Sequence, residues 1–431
     1  MLLRISLPVP VLSRTSFRFL SQSQSGMLQQ PVERTGRGVA KVGGSWTAAV
    51  HDQSNRSNPA AALLVNSFSS TRATSSRANT PLMLHHEWII DGKVQVGSSS
   101  SSPSSQQQDG NVIVFLHGLL GNNKNLRTPA KLLSKKTGVS ALMIDLRGHG
   151  ESASSSSSSL SLDQQDQLMH PIQNCASDVI HTLQQLNLTG TASPKHICGH
   201  SFGGRCALAY HHMLLTNTYT DANTNEMAHQ LVNPPKHCWI LDSSPGNAHS
   251  SVAKVIDAVS SIQMPIQSKQ ELVQILTREK NIDLAIASWM TTNLRPSTST
   301  STSGTRANAN GFEFMFDLQV VHSILKDFPN QDMIGMLREC MHAPNHAHAH
   351  AHGNAAHAHS HTIHKVIASK NESWTPEIMQ QLQVVQNNAH TSNANSTINA
   401  SANLNLITLD AGHWVHIDAL DALMQHMMKE F

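Results

Sequence analysis

The hydrophobic positions of this chain fall into short unbroken runs separated by stretches of helical periodicity. Val112-Ile113-Val114-Phe115-Leu116 is the clearest run, and Ala141-Leu142-Met143-Ile144, His196-Ile197-Cys198, Trp239-Ile240-Leu241, Val366-Ile367-Ala368 and residues 404–409 follow it. Such runs mark strands buried on both faces, the signature of a parallel sheet whose crossover helices cover it on either side. Between them the spacing predicts helices. One starts at Ser177, a favourable N-cap, and sets Val179, Leu183 and Leu186 on one face. Another begins after Gly204 and runs through Leu208 to Leu214, and an amphipathic segment over 418–431 closes the chain. The alternation predicts an α/β fold, a mostly parallel central sheet flanked by helices.

Residues 249–330 break the rhythm. They read as helices over 252–262, 271–278, 282–290 and 318–328 without strong strands between them. The expected organisation is therefore a disordered extension over 1–80, a core over 81–248 and 331–431, and a helical cap over 249–330 that carries a Ser/Thr-rich tract.

Composition refines this picture. Of 431 residues, 39% are hydrophobic and only 13% charged. The balance is Ser, Thr, Asn, Gln and His, much of it in polar tracts at 97–110, 153–166, 295–311, 342–364 and 388–403. Setting these and residues 1–80 aside leaves about 270 residues, enough for one domain with a subdomain. The tracts fall between elements, where insertion costs little because loop-closure entropy grows only logarithmically with length.

The net charge is +2, and outside the N-terminus the basic residues are scattered singly, so no nucleic-acid footprint is present. No run reaches the ~18 apolar residues of a membrane span. Five cysteines, odd in number and without paired spacing, fit a reducing compartment. Residues 1–80 hold nine basic residues against two acids, Glu33 and Asp52, and the first thirty hold three arginines and no acid. That is transit-peptide composition, and it predicts a mitochondrial location ahead of a plastid one.

Gly199-His200-Ser201-Phe202-Gly203 lies directly after one predicted strand and directly before a helix. In that context G-x-S-x-G is a nucleophile turn. The sharp bend strains the serine, glycines avoid collision with neighbouring backbone, and Oγ projects from the carboxyl edge of the sheet beside a helix N-terminus. The plain structural alternative is a glycine-rich turn with an inert serine.

A serine hydroxyl needs a base to take its proton. Among 28 histidines, His413 stands out, in Ala411-Gly412-His413-Trp414 directly after the last predicted strand. A doubly wound sheet returns that loop above the serine, in the chain order Ser, acid, His. His416 reads as structural. An oxyanion needs two preorganised N–H groups, expected from Phe202, after the nucleophile, and from Leu119, after His117-Gly118.

Taken together, Phe115-Leu116-His117-Gly118-Leu119-Leu120-Gly121, Asp145-Leu146-Arg147-Gly148-His149-Gly150-Glu151-Ser152, Gly199–Gly204, Leu241-Asp242-Ser243-Ser244-Pro245 and Ala411-Gly412-His413-Trp414-Val415-His416 resemble the α/β-hydrolase superfamily. They look most like the group of α/β-hydrolase domain-containing protein 11 and related bacterial acyl-CoA esterases. The resemblance covers about 82–431. It implies the α/β-hydrolase fold, ester or thioester hydrolysis under a helical cap, and mitochondrial eukaryotic members. It makes Asp145 and Arg147 parts of a structural turn.

For the third catalytic member the resemblance offers three acids. The loop after the cap's following strand offers Glu372, the pattern of the bacterial esterases points to Asp242, and Asp317 matches a position in the human-type relatives. Asp242 is preferred, because it ends a central strand beside the nucleophile strand and is placed rigidly by the sheet. Asp317 reads alternatively as a helix N-cap and Glu372 as a solvated loop acid.

The expectation is thus a serine esterase or thioesterase acting on a small-molecule acyl ester or thioester, with no cofactor and no catalytic metal. The nine histidines of 342–364 offer a metal-binding reading. An expanded low-complexity loop before a strand at 365–368 is preferred to it. Rival functions are a C–C hydrolase or lyase on the same scaffold, and a non-hydrolytic binding or scaffolding protein of this fold.

Overall fold

The computed structural model describes residues 81–95, 109–155, 172–219, 231–248, 250–297, 311–342, 360–395 and 401–431. They belong to one unit, residues 69–431. The extension over 1–80, and most of the Ser-rich and His-Ala tracts, lie outside the described residues.

Ten strands are described: β1 His86–Ile90, β2 Lys93–Val94, β3 Val112–Leu116, β4 Ser140–Ile144, β5 His196–His200, β6 His237–Leu241, β7 Leu294–Pro296, β8 Phe312–Phe314, β9 His361–Ala368 and β10 Ala402–Leu409. Eight form one sheet in the order β10-β9-β6-β5-β3-β4-β1-β2. From β10 to β4 every neighbouring pair is parallel. Only the pairings of β1, with β4 and with β2 at one edge, are antiparallel in this sheet. They are joined through Asp91 (φ 50°) and Gly92 (φ 73°), the positive-φ pair that a two-residue hairpin turn requires.

The period-two side-chain alternation of a strand explains the layers. Val112, Val114 and Leu116 pack in one apolar cluster with helices Ile172–Gln185, Phe202–Leu215 and Met333–His342. Ile113 and Phe115 face the other way, into a cluster with helix Arg127–Thr137 and the C-terminal helix Leu420–Met427. A third apolar cluster joins Leu120 to helices Ser250–Ser260, Lys269–Gln274 and Leu284–Met290.

Some boundaries differ from those the sequence suggests. The helix expected to start at Ser177 spans Ile172–Gln185, which puts Ser177 inside it; Pro171 just before Ile172 in the sequence is the better start signal. The segment after β6 is not helical throughout, because β7 and β8 pair antiparallel within it. Strand β9 begins at His361, not Lys365, since its first residues pair with Ala402–Leu404 of β10. Thus His361 and His364 are strand residues, both buried, and not loop. Helix Pro376–Asn395 likewise runs into the Asn-rich tract.

The turn after β4 is structural, as the resemblance implies. Asp145 accepts hydrogen bonds from the Asn123 and Glu151 backbone N–H groups at 2.7 and 3.1 Å. Arg147 forms a buried two-point ion pair with Asp178, both contacts at 2.7 Å.

Candidate active site

The segments after β3, β5 and β6 meet at the carboxyl edge of the sheet, where the loop after β10 joins them. Ser201 follows β5 with φ 54° and ψ −116° and opens helix Phe202–Leu215. Its N–H donates to the Leu241 carbonyl at 2.9 Å, which pins the bend to β6. Glycine is required on either side. A Cβ on Gly199 would lie 2.0 Å from the Gly203 carbonyl oxygen, and one on Gly203 would lie 2.3 Å from the Leu116 carbonyl oxygen.

Asp242 ends β6 with φ 43°, and its N–H continues the parallel ladder by donating to Val366 at 2.8 Å. Its carboxylate is fully buried and accepts four hydrogen bonds. Ala368 N–H and Trp374 Nε1–H reach Oδ1 at 3.0 and 2.6 Å. Asn371 Nδ2 and His413 Nδ1 reach Oδ2 at 2.6 and 2.7 Å. Four donors match the acceptor capacity of a carboxylate, so its orientation is held.

His413 sits on the loop after β10. His200, the residue before the serine, has its ring 4.7 Å from that of His413 and donates Nε2–H to the His413 carbonyl at 2.9 Å. The loop is thereby fastened beside the serine turn. Burial first, and then the neighbouring His416 and His413, push His200 well below the usual imidazole range, so it stays neutral. Burial also lowers His416 to about 3, consistent with a structural ring.

The loop after β3 closes the remaining side. A Cβ on Gly118 would lie 3.5 Å from Ser201 Cβ, so the backbone approaches the serine closely there. Two buried imidazoles shape this loop. His117 donates Nδ1–H to the Gly118 carbonyl at 2.8 Å and accepts the Leu146 N–H on Nε2 at 3.0 Å. His149 donates Nδ1–H to the Arg147 carbonyl at 2.9 Å and accepts the Leu120 N–H on Nε2 at 3.2 Å. Burial, then the nearby His117, lowers His149 to about 3, which keeps Nε2 an acceptor. The N–H groups of Leu119 and Phe202 have no acceptor among the described residues.

The other acids stand elsewhere. Asp317 caps its helix, accepting from the Gln319 and Val320 N–H groups at 2.9 and 3.3 Å. Glu372 is exposed, and among the described residues neither acid bonds to His413. Sequence reasoning passed over Asn371 and Trp374, the two side chains that hold Asp242. Their signal was present, as side-chain N–H donors within two residues of Glu372 in a loop after a central strand. It also passed over the scaffolding roles of His149 and His200, and Lys365. Lys365 is fully buried and donates Nζ–H to the Ser243 carbonyl at 2.8 Å.

The sequence pattern that defines the alpha/beta hydrolase family matches residues 113–425. The chain belongs to the alpha/beta hydrolase family. Among its relatives it is 28% identical over 193 residues to the sn-1-specific diacylglycerol lipase ABHD11 of Danio rerio, covering 44% of this chain and 46% of that protein. It is 32% identical over 174 residues to a putative esterase/lipase of Haemophilus influenzae, covering 39% and 48%. The chain thus spans about half, or less, of the curated relatives it matches. A solved marine microorganism esterase shares this hydrolase fold, with a TM-score of 0.50 and 15% identity over 81% of this chain and 99% of the other. The expected likeness to α/β-hydrolase domain-containing protein 11 is met by these relatives.

Proposed function

We propose that this hydrolase cleaves carboxylic esters or thioesters, of the acyl ester or acyl-CoA type, through an acyl-enzyme on Ser201. His413 is the base and Asp242 the acid that orients it. The observation that carries this reading is the 2.7 Å contact between His413 Nδ1 and a buried Asp242 carboxylate, on a loop fastened to the residue before the serine. Donating Nδ1–H to the carboxylate leaves the Nε2 lone pair free to accept a proton.

The steps follow from these roles. Ser201 Oγ bonds to the acyl carbon while its proton passes to His413 Nε2. The N–H groups of Leu119 and Phe202 receive the oxyanion, helped by the N-terminus of the helix behind the serine. Collapse breaks the bond to the alcohol or thiol, which leaves with the proton from His413. Water then loses a proton to His413 and attacks the acyl carbon; the acyl bond to Ser201 Oγ breaks, Oγ takes that proton from His413, and the acid leaves. No step calls for a metal or cofactor. The names of the relatives, a diacylglycerol lipase and an esterase/lipase, denote cleavage of the same bond class. The apolar cluster around Leu120 lies beside the loop after β3 and suits an apolar acyl part.

The test is covalent labelling of the full chain with a fluorophosphonate, together with turnover of nitrophenyl acyl esters of graded length. Labelling and turnover are expected, with both lost in Ser201→Ala. A folded wild-type chain that neither labels nor hydrolyses any ester overturns the proposal.

A further inference from the structure

At the end of β6 away from Asp242, three side chains far apart in sequence converge. His237 opens β6, His364 lies within β9, and Glu430 lies in the last turn, Met428–Glu430. His237 Nδ1 stands 3.1 Å from His364 Nε2 and 3.6 Å from Glu430 Oε2. One ligand atom from each of the three lies within 4.8 Å of the others. Two nitrogens bound to one zinc ion at about 2.1 Å, at angles from a right angle to the tetrahedral value, stand about 3.0–3.4 Å apart. The imidazole pair has that spacing already.

The rings are also held in place. Trp239 stacks on His364 with centroids 3.8 Å apart and planes within 5°, and His196 stacks on His237 at 4.9 Å and 11°. Asn405 lies 3.4 Å from His364 Nδ1. Turned to present its oxygen, that amide accepts Nδ1–H and leaves Nε2 as the ligand atom, the usual outer support of a metal-bound imidazole. His364 is buried, whereas Glu430 is one-third exposed, so the side facing solvent is open to water and to an entering ion.

We propose that His237, His364 and Glu430 form a site for a zinc-class divalent cation, completed by water, which clamps the C-terminal turn to the sheet. Two imidazoles and one carboxylate favour zinc and its transition-metal neighbours over magnesium or calcium, which prefer all-oxygen ligands. The site lies apart from the serine and takes no part in the reaction proposed for it.

The chain's many other histidines require a discriminating test. Donors close together in sequence remain close in the unfolded chain, whereas these three are assembled only by folding. Zinc held here therefore raises Tm, and zinc held equally by the unfolded chain does not. The measurement is thermal unfolding and calorimetric titration of the untagged full chain with Zn²⁺ alone. It is repeated on a variant with His346, His348, His350, His352, His357 and His359 replaced by Gln, and on Glu430→Gln and His237→Gln. Zn²⁺ is expected to raise Tm in wild type and in the six-fold variant, and Mg²⁺ is not. Each site variant is expected to abolish the rise and weaken the associated affinity at least about tenfold. Glu430 is on the surface, so Glu430→Gln keeps the fold and decides the matter if His237→Gln does not. A rise that persists in Glu430→Gln, or that vanishes in the six-fold variant, overturns the proposal.

Discussion

His413 Nδ1 and Asp242 Oδ2 stand 2.7 Å apart although 171 positions separate the two residues. Neither Asp317 nor Glu372 has such a contact among the described residues. Asp242→Asn is therefore expected to lower kcat by about 10⁴, the loss seen when an orienting carboxylate can no longer hold the imidazole tautomer. Glu372→Gln is expected to leave kcat unchanged. Asp317→Ala is expected to leave kcat unchanged and to cost about 1 kcal/mol through loss of a helix cap. Steady-state kinetics with urea unfolding separates the three, and a full loss of kcat in Glu372→Gln would reassign the acid.

The close approach of Gly203 to the Leu116 carbonyl predicts intolerance of a single methyl group. A Cβ at 2.3 Å from that oxygen forces backbone to move, because the oxygen is main chain and the Cβ is fixed rigidly to main chain. Gly203→Ala is expected to cost about 1–3 kcal/mol, as overpacking does. Because the shift falls at the serine turn, fluorophosphonate labelling of Ser201 is expected to slow in the same variant. Unchanged labelling with unchanged Tm would show that the turn accommodates the methyl.

The Arg147–Asp178 pair fastens the turn after β4 to helix Ile172–Gln185, and Asp178 also accepts the Leu82 N–H at 2.7 Å. Removing one member of a buried pair costs the other its two-point charged contact in a poorly solvated place. Asp178→Ala is expected to destabilise the protein by roughly 3–5 kcal/mol. Denaturant midpoints measure this, and a loss below about 1 kcal/mol would mean that water reaches Arg147.

Lys365 gives a pH signature. Burial first, and then the Arg205 charge, lower its ammonium to about 7, against the opposing pull of Asp242. In the unfolded chain the same group keeps its proton up to its ordinary value near 10.5. Between these two values the unfolded state binds more protons, so this group makes unfolding free energy rise with pH, by up to about 1.4 kcal/mol per unit. Comparing denaturant unfolding of wild type and Lys365→Met from pH 7 to 9 tests the sign. Wild type is expected to gain stability on Lys365→Met as pH rises. Parallel curves would show that Lys365 keeps its proton in the folded state.

Much of this protein is legible along the chain. The unbroken apolar runs at 112–116 and 141–144 announce a two-sided parallel sheet, because strands covered on both faces have no polar side to alternate with. The G-x-S-x-G turn between strand and helix announces a strained serine, because two of its positions have no room for a side chain. Other boundaries are blurred where polar composition masks an element. His361 and His364 read as loop because only pairing with β6 and β10 makes that segment a strand.

Pattern and order alone therefore determine the fold class, the serine turn and the returning histidine loop, since each is a local consequence of backbone geometry and hydrophobic period. Which acid meets His413 is decided only by the tertiary structure, because three carboxylates occupy plausible places in the sequence and differ in what surrounds them. Asp242 is the one buried among Ala368, Asn371, Trp374 and His413. A buried charge must be met by donors from several distant segments, and no local pattern of residues records where those segments will come together.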